Sequence, residues 1–345
     1  MKNNINYPVR KNIRNLFPYS CARNDHSSDR GIFLDANENP YGTYNRYPDP
    51  LHTDLKRKIA EMKHCTAGQI FLGNGSDEII DLALRIFCEP YQDKALAFTP
   101  TYGMYEVAAS INAVPFIKIP LNEEFQINME KLIPLLPDEQ LKLIFICSPN
   151  NPTGNLIKEE DVEFILTHFR GMVVIDEAYI DFSGQDSFVT KLDAYPNLIV
   201  LQTLSKAWGS AGLRLGIAYM NETLQQWFSK IKPPYNISTP NKEKALEVLN
   251  EVPVFTKNLK YILEERVRMR SELEQLNIIR NVYPSHANFL LVEVEDADSM
   301  YEKLIMEGIV VRNRNTVVNN CLRITVGTMK ENQMLIDRLK QETHG

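Results

Sequence analysis

Residues 203–216 read TLSKAWGSAGLRLG. They set a primary amine, Lys206, between a hydroxyl, Ser205, and a guanidinium, Arg214, with small residues as spacers. The preceding run NLIVLQ has the apolar continuity of a buried strand, so Lys206 stands just past a strand end. Such a lysine is either a solvated loop residue or a reactive amine beside an anion site. Three other stretches carry chemistry of matching kinds. GNGSDE (73–78) is a glycine-containing turn that opens a helical pattern, where free N–H groups and the positive end of the helix dipole suit a phosphate. It lacks the third glycine of a dinucleotide fingerprint and the GK[ST] of a P-loop, so read alone it is more simply an ordinary helix cap. SPNNPTG (148–154) follows the apolar run LKLIFIC. Its prolines and glycine fix a turn that either presents the amides of Asn150 and Asn151 or is a turn and nothing more. VVIDEAYIDF (173–182) puts Asp176 at the end of a buried strand. A carboxylate there is costly unless paired or hydrogen-bonded, and Tyr179, three residues on, can face the same crevice.

The elements that must position these groups are legible as short runs rich in Ile, Val, Leu and Phe. They are KALAFTP (94–100), LKLIFICSP (141–149), GMVVIDEAY (171–179), NLIVLQTLS (197–205) and LRLGIAYM (213–220). Continuous apolar runs suit strands buried on both faces. Helical patterns separate most of them: SDEIIDLALRIFC (76–88), with Ser76 as N-cap, and KEEDVEFILTHF (158–169), acidic at its start as the helix dipole favours. The alternation predicts an α/β domain with a largely parallel sheet. The gap between LIVLQTL and LRLGIAYM is too short for a helical crossover, which predicts an antiparallel pair there. From about residue 239 the texture changes to a charged, helix-prone segment, followed by NFLLVEV (288–294), GIVVRN (308–313) and LRITVG (322–327). This predicts a smaller α+β domain, with the prolines of KPPYNISTP at the boundary.

Open α/β sheets bind ligands beyond the carboxyl ends of their strands. The glycine turn, the Asn turn, Asp176 and Lys206 all follow apolar strands or a strand-like segment, so they converge on one sheet edge. An amine, an acid, a phenol and a phosphate cradle are what pyridoxal 5′-phosphate requires. The lysine attaches the cofactor, and the acid keeps the pyridine nitrogen protonated so that the ring withdraws electrons.

Composition narrows the setting. The chain has 345 residues, 44% of them hydrophobic, enough for two subdomains. A net charge of -6 with no basic patch argues against a nucleic-acid partner. Cys21, Cys65, Cys88, Cys147 and Cys321 form no CxxC pair, which fits free thiols in a reducing compartment. The N-terminus lacks the apolar core of a signal peptide, and no apolar stretch is long enough to span a membrane, so the expectation is cytoplasmic. The six histidines show no metal-ligand spacing, and His64 beside Cys65 reads as a surface-loop coincidence.

Taken in order, these motifs make the chain resemble the fold-type-I pyridoxal-phosphate aminotransferases over nearly its whole length, from VRKNIRNLFPYSCARND to LRITVGT. LDANENPYG, RYPDP, GNGSDE, TYGMY, SPNNPTG, VVIDEAYIDF and TLSKAWGSAGLRLG match that family's pattern, and DANENP with RYPDP is similar to its histidinol-phosphate branch. The resemblance implies an N-terminal arm (1–42), a large domain with a mostly parallel seven-stranded sheet flanked by helices (43–238) and a smaller α+β domain (239–345). It implies amino transfer between L-histidinol phosphate and 2-oxoglutarate, giving imidazole-acetol phosphate and glutamate, by a homodimer in histidine biosynthesis. Lys206 would carry the cofactor and move the proton at the substrate's Cα, with Asp176 on the pyridine nitrogen and Tyr179 and Asn151 on the ring's phenolate oxygen. Tyr102 would stack on the ring. Ser76, Asp77, Ser205 and Arg214 would form the phosphate site, which Tyr47 would reach from the other subunit. Arg323 would bind the substrate's anionic group with Arg312 as helper, or with Arg314 in its place, since the spacing to Arg323 varies in the family. Trp208, where the family often has Phe, and Ser210 are departures that remove no functional group. Threonine-phosphate decarboxylases share much of the same pattern, and aromatic amino-acid aminotransferases share its core.

Overall fold

In the computed structural model, which describes residues 7–19, 22–25 and 31–342, the apolar runs become strands of one large sheet. Its strands are β1 (Ile70–Asn74), β2 (Lys94–Thr99), β3 (Phe116–Pro120), β4 (Leu141–Cys147), β5 (Met172–Asp176), β6 (Leu198–Thr203) and β7 (Leu215–Met220). They lie in the order β1-β7-β6-β5-β4-β2-β3. From β6 to β3 every pair is parallel, and β7 runs antiparallel to both β6 and β1. The reversal is the one that the short β6–β7 connection predicts. In this sheet β1 and β3 are the strands that none of the five apolar runs announces. Both are edge strands; β1 is short and contains Gly73, and β3 is interrupted by the exposed Lys118.

The core shows why the central runs are continuously apolar. Along β4, Leu143, Phe145 and Cys147 pack on one face of the sheet while Ile144 and Ile146 pack on the other. On β5, Val174 faces one side and Val173 and Ile175 the other. With helices over both faces, neither set of alternate positions meets water.

The helix Ser76–Phe87 begins one residue away from the cap that its sequence predicts: Gly75, at φ +78, is the N-cap and Ser76 is the first helical residue. A Cβ at Gly75 would lie 2.5 Å from Arg214 Nη2. The positive φ, which L side chains rarely adopt, and not a capping hydroxyl, therefore decides that position. The acid-rich segment forms the helix Glu159–His168, with Glu159, Glu160 and Asp161 in its first turn.

The helix-prone segment after residue 239 is two helices, Thr239–Asn250 and Val252–Leu273, the second carrying Pro253 in its first turn. The first sends Ala245 and Leu249 into the core of the large sheet; the second sends Met269 and Leu273 to the smaller core. That smaller core backs a second sheet, β8 (Ile279–Val282), β9 (Phe289–Val294), β10 (Arg312–Asn313) and β11 (Cys321–Thr325), in the order β10-β11-β9-β8 and antiparallel throughout. Of GIVVRN only Arg312 and Asn313 pair as strand, while Ile309 and Val311 pack on the core. Tyr179, Phe182 and Ala207, from the loops after β5 and β6, pack with Ala287 and Phe289, which ties the small sheet against the carboxyl edge of the large one.

Cys65, Cys88, Cys147 and Cys321 are free thiols, and Cys21 lies outside the described residues, as do the first six residues of the N-terminal arm. Among the described residues no helix is long and apolar enough to cross a membrane, and no three His, Cys, Asp or Glu side chains group as metal ligands. His64 is exposed, in the C-cap of the helix Thr53–Lys63.

Candidate active site

Six strands of the large sheet point one way, so their carboxyl ends share an edge. β7 points the other way, so the residue before it starts at that same edge. β1 thus delivers Gly75 and Ser76, β2 Tyr102, β4 Asn151, β5 Asp176 and Tyr179, β6 Ser205 and Lys206, and the reversed β7 delivers Arg214. The small sheet adds Arg312, Arg314 and Arg323. All of them, with Asp77, line one cavity of about 360 Å³. A larger, more open hollow of about 1100 Å³ adjoins it, and Lys206 is the one residue among these that it also touches.

Asp176 is 3% exposed. Tyr105 OH donates to its Oδ2 at 2.7 Å and the Ala178 N–H donates to its Oδ1 at 3.1 Å. Burial pushes this carboxyl above its ordinary value; the two donors and the charge of Lys206 pull it part of the way back. Tyr105 is itself fully buried, with its ring stacked on Phe145 at 4.9 Å. The sequence reading overlooks it. Its only signal is the three-residue spacing from Tyr102 in TYGMY, and nothing local pairs it with Asp176.

Lys206 is half-buried, with Nζ 5.6 Å from the centroid of the Tyr179 ring. Burial and then Arg323 pull its ammonium below the usual lysine value, which favours the nucleophilic free amine. Burial pushes the Tyr179 phenol up, so it stays a neutral donor, and its ring meets Phe289 edge-on at 5.2 Å. The two amides of the Asn turn part company. Asn150 is spent internally: its Nδ2 donates to Pro100 O at 2.9 Å and to Thr153 Oγ1 at 2.7 Å, tying the turn to the loop that carries Tyr102. Asn151 lines the cavity, and its Oδ1 accepts from Arg323 Nη1.

The other end of the cavity is built around the glycine turn. Tyr102 OH donates to Asp77 Oδ1 at 3.0 Å, and Arg214 Nη2 stands 3.7 Å from Asp77 Oδ2. The Ser205 N–H donates to Thr203 Oγ1 at 3.1 Å, and the Thr203 hydroxyl donates across to Leu215 O at 3.0 Å. Behind the turn, Glu78 Oε2 accepts from the Asn74 N–H at 2.5 Å, and Asn236 Nδ2 donates to Leu72 O at 2.9 Å. His52 Nε2 lies 3.0 Å from Asn236 Oδ1. Asn236 comes from KPPYNISTP, whose composition signals a boundary and gives no hint of this bracing.

One predicted residue is absent from the cavity. Tyr47 is 50% exposed, stacks on Tyr235 at 4.4 Å and borders a separate surface hollow with Glu38 and Asn39.

A sequence model of the family described as aminotransferase class I and II matches residues 29–339. The chain belongs to the class I and II aminotransferases. It is 51% identical to a histidinol-phosphate aminotransferase of Parabacteroides distasonis over 335 residues, 96% of this chain and 97% of that one. It is 47% identical to one of Flavobacterium johnsoniae over 342 residues, 97% and 98% of the two chains. Among solved structures it superposes on the histidinol-phosphate aminotransferase of Clostridium acetobutylicum with a TM-score of 0.80, 28% identity and coverage of 87% and 91%. The enzyme of Sinorhizobium meliloti, solved in complex with pyridoxal 5′-phosphate, shares the fold at a TM-score of 0.79 and 22% identity, with coverage of 87% and 83%. Aminotransferases of this family use pyridoxal 5′-phosphate, and the donor set here fits it. A helix N-terminus with Ser76, Ser205 and Arg214 can take a phosphate, a buried carboxylate can take a protonated ring nitrogen, and an amine of lowered pKa can take the aldehyde. Glycine also lets the turn approach β7: a Cβ at Gly216 would lie 2.3 Å from the Gly75 carbonyl carbon.

Proposed function

We propose that this aminotransferase moves the amino group between L-histidinol phosphate and 2-oxoglutarate, as a cytoplasmic homodimer. The observation that carries the reading is identity of 51% and 47%, over nearly the whole chain, to enzymes of that name. The cavity is chemically apt, because a phosphate-bearing donor meets Arg323, Arg312 and Arg314 at the end away from the glycine turn.

When bound, pyridoxal 5′-phosphate supplies an aldehyde for covalent attachment and a ring that accepts the electron pair left at the substrate's Cα. The Asp176 carboxylate holds the proton on the ring nitrogen, and Tyr105 and the Ala178 N–H hold that carboxylate in place. Tyr179 and the Asn151 amide, which line the same cavity, would hold the ring's phenolate oxygen, and Tyr102 would pack on the ring. Ser76, the N–H groups of its helix, Ser205 and Arg214 grip the cofactor phosphate, with Asp77 orienting Tyr102 and Arg214. Tyr47 of the partner subunit completes that grip, consistent with its place on the surface of its own chain. Lys206 would hold the cofactor's aldehyde and, as a free amine favoured by its lowered pKa, would take and pass on the proton at the substrate's Cα. Arg323 anchors the substrate's anionic group, with Arg312 beside it.

The test is turnover with histidinol phosphate, phenylalanine and threonine phosphate side by side. Glutamate formed from 2-oxoglutarate with histidinol phosphate as the preferred donor supports the reading; carbon dioxide from threonine phosphate without glutamate reassigns the chain as a decarboxylase. For the shared site, Tyr47→Phe and Lys206→Ala subunits are mixed. Each heterodimer then holds one site with both defects and one with neither, so activity rises above either parent. Heterodimers that form without any rise would count against Tyr47 acting across the interface.

A further inference from the structure

Tyr47 has no helix or strand to hold it. It lies in the loop before the helix Thr53–Lys63, where Pro48 disfavours a helical backbone at the residue it follows. It is 50% exposed. Even so, both of its main-chain groups are held by side chains from the N-terminal arm. Its N–H donates to Glu38 Oε1 at 2.6 Å, and its carbonyl accepts from Arg23 Nη1 at 2.8 Å. Its ring stacks on Tyr235 at 4.4 Å. Three residues thus fix its backbone and ring, while its hydroxyl makes no hydrogen bond among the described residues.

The two residues that hold Tyr47 also hold each other. The Glu38 side chain is 3% exposed and that of Arg23 12%. Arg23 Nη2 lies 2.6 Å from both Glu38 oxygens, and Arg46 Nη1 donates to Glu38 Oε2 at 2.6 Å. The Arg23 guanidinium also lies over the Phe33 ring at 5.2 Å and 3.6 Å from Asp35. Burial alone would raise the Glu38 carboxyl. The donors from Arg46, Tyr47 and Arg23 bring it down to about 2, so it is ionised at any working pH. A buried ion pair repays its desolvation only with good geometry and further hydrogen bonds. Here two of those further bonds go to the backbone of one residue, an aromatic that stands at the surface. Fixing such a side chain beforehand removes the cost of ordering it when it meets a ligand.

We propose that Glu38 and Arg23 are positioning residues for the cofactor phosphate of the opposite subunit: they hold Tyr47 in the place from which its hydroxyl reaches that phosphate. This rests on the reading that Tyr47 acts across the dimer interface. It also ties DANENP to RYPDP physically, since the acid of the first clamps the tyrosine of the second.

The experiment uses the full-length dimer of the wild type, Tyr47→Phe, Glu38→Gln, Arg23→Gln, Arg23→Lys and the double variant Glu38→Gln/Tyr47→Phe. The dissociation constant of pyridoxal 5′-phosphate is measured by titrating it back into each cofactor-stripped dimer and following its absorbance. Tyr47→Phe, which loses a hydrogen bond to a charged group, should raise that constant about 10- to 100-fold. Glu38→Gln and Arg23→Gln should each raise it about 5- to 10-fold. Arg23→Lys keeps the charge and loses the fork, so it should fall between the wild type and Arg23→Gln, and it guards against a folding defect in the Gln variant. The double variant should match Tyr47→Phe within about twofold, because a clamp matters only through the residue it holds. Pairing Glu38→Gln subunits with Lys206→Ala subunits then locates the defect. The one Lys206 of that heterodimer belongs to the Glu38→Gln subunit and meets the Tyr47 of an unaltered arm, so cofactor affinity there should return to the wild-type value. Unmoved constants in Glu38→Gln and Arg23→Gln beside a raised one in Tyr47→Phe would overturn the proposal. So would losses that multiply in the double variant, or a heterodimer as weak as its Glu38→Gln parent. A Tyr47→Phe constant equal to the wild type sinks the reading of Tyr47 itself, and the clamp loses its object with it.

Discussion

Asp176 and Glu177 are neighbours in the chain, 3% and 1% exposed, and burial raises the pKa of both. They serve opposite sides of the end of β5. Glu177 points away from the cavity, and its oxygens are occupied: it accepts from the Phe188 N–H at 2.7 Å, the Ser187 hydroxyl at 2.5 Å and Gln202 Nε2 at 2.9 Å. Since Gln202 lies on β6, Glu177 locks the two strands that carry Asp176 and lead to Lys206. Asp176 has two protein donors and keeps acceptor capacity toward the cavity, out of roughly four lone-pair sites on a carboxylate. A buried acid is costly in either place, and the cost alone does not mark function. The mark is an acceptor left open where a ligand can reach it.

That contrast can be broken or sharpened by substitution. The largest effect belongs to the amine on the cavity side. Lys206→Ala should abolish covalent attachment of the cofactor and turnover while leaving the fold intact, and borohydride reduction of the wild type should fix the cofactor on the peptide that contains Lys206. Labelling at another lysine would show that the wrong amine has been chosen.

Asp176→Asn should still bind cofactor but lose about 3–4 kcal/mol or more of transition-state stabilisation, on the order of 10²–10³ in kcat. Its amide cannot keep the ring nitrogen protonated. Near-normal kcat in this variant would mean that another acid serves the ring.

Tyr105→Phe removes one of the two donors to Asp176 and should cost about 1 kcal/mol, roughly tenfold at most in kcat. The accompanying change is a shift in the pH dependence of the bound cofactor's absorbance, because the carboxylate loses a hydrogen bond that favours its charged form. Lowered activity without that shift would reduce Tyr105 to a packing residue.

Glu177→Gln should change kcat least, within about threefold, and lower stability by about 1–3 kcal/mol through its disrupted network. The pH sign is opposite to that of a salt-bridged acid. The folded pKa of Glu177 is raised, so its contribution is present below the unfolded value of about 4.3 and is lost as pH rises through the folded value. Urea unfolding across that window should show the wild type losing more stability than the Gln variant. A large kcat loss in correctly folded Glu177→Gln would erase the distinction between the two acids.

Much of this was legible in one dimension. The runs that became β2, β4, β5, β6 and β7 are continuous in Val, Ile, Leu and Phe because both faces of the sheet are covered, and that pattern is local. The reversal of β7 followed from a connection too short to cross over. The convergence of Lys206, Asp176, Tyr179 and Arg214 on one cavity was readable because each stands at the end or start of such a run. β3 was not announced because its exposed Lys118 breaks the apolar run, and β1 showed only as the strand-like segment before the glycine turn because Ile70, Phe71 and Leu72 make too short a run to stand out. Ser76 was read as the cap because hydroxyls usually cap helices; the positive φ of +78 at the cap position, which L side chains rarely adopt, decided for Gly75.

By itself the sequence determined which reactive groups exist and which strand ends carry them, because covalent order and side-chain periodicity are properties of a few consecutive residues. Only the tertiary structure decided which groups meet. The reversed strand brings Arg214 to Asp77, and the helix after β2 lays Tyr105 on Asp176. The turn after β4 spends Asn150 and leaves Asn151 for Arg323. The small sheet leaves Arg314 dry among like charges while Arg312 stays in water. Each of these depends on burial and on contacts tens to hundreds of residues apart, and the energies that make them matter, desolvation and charge at short range, exist only once the chain has closed around them.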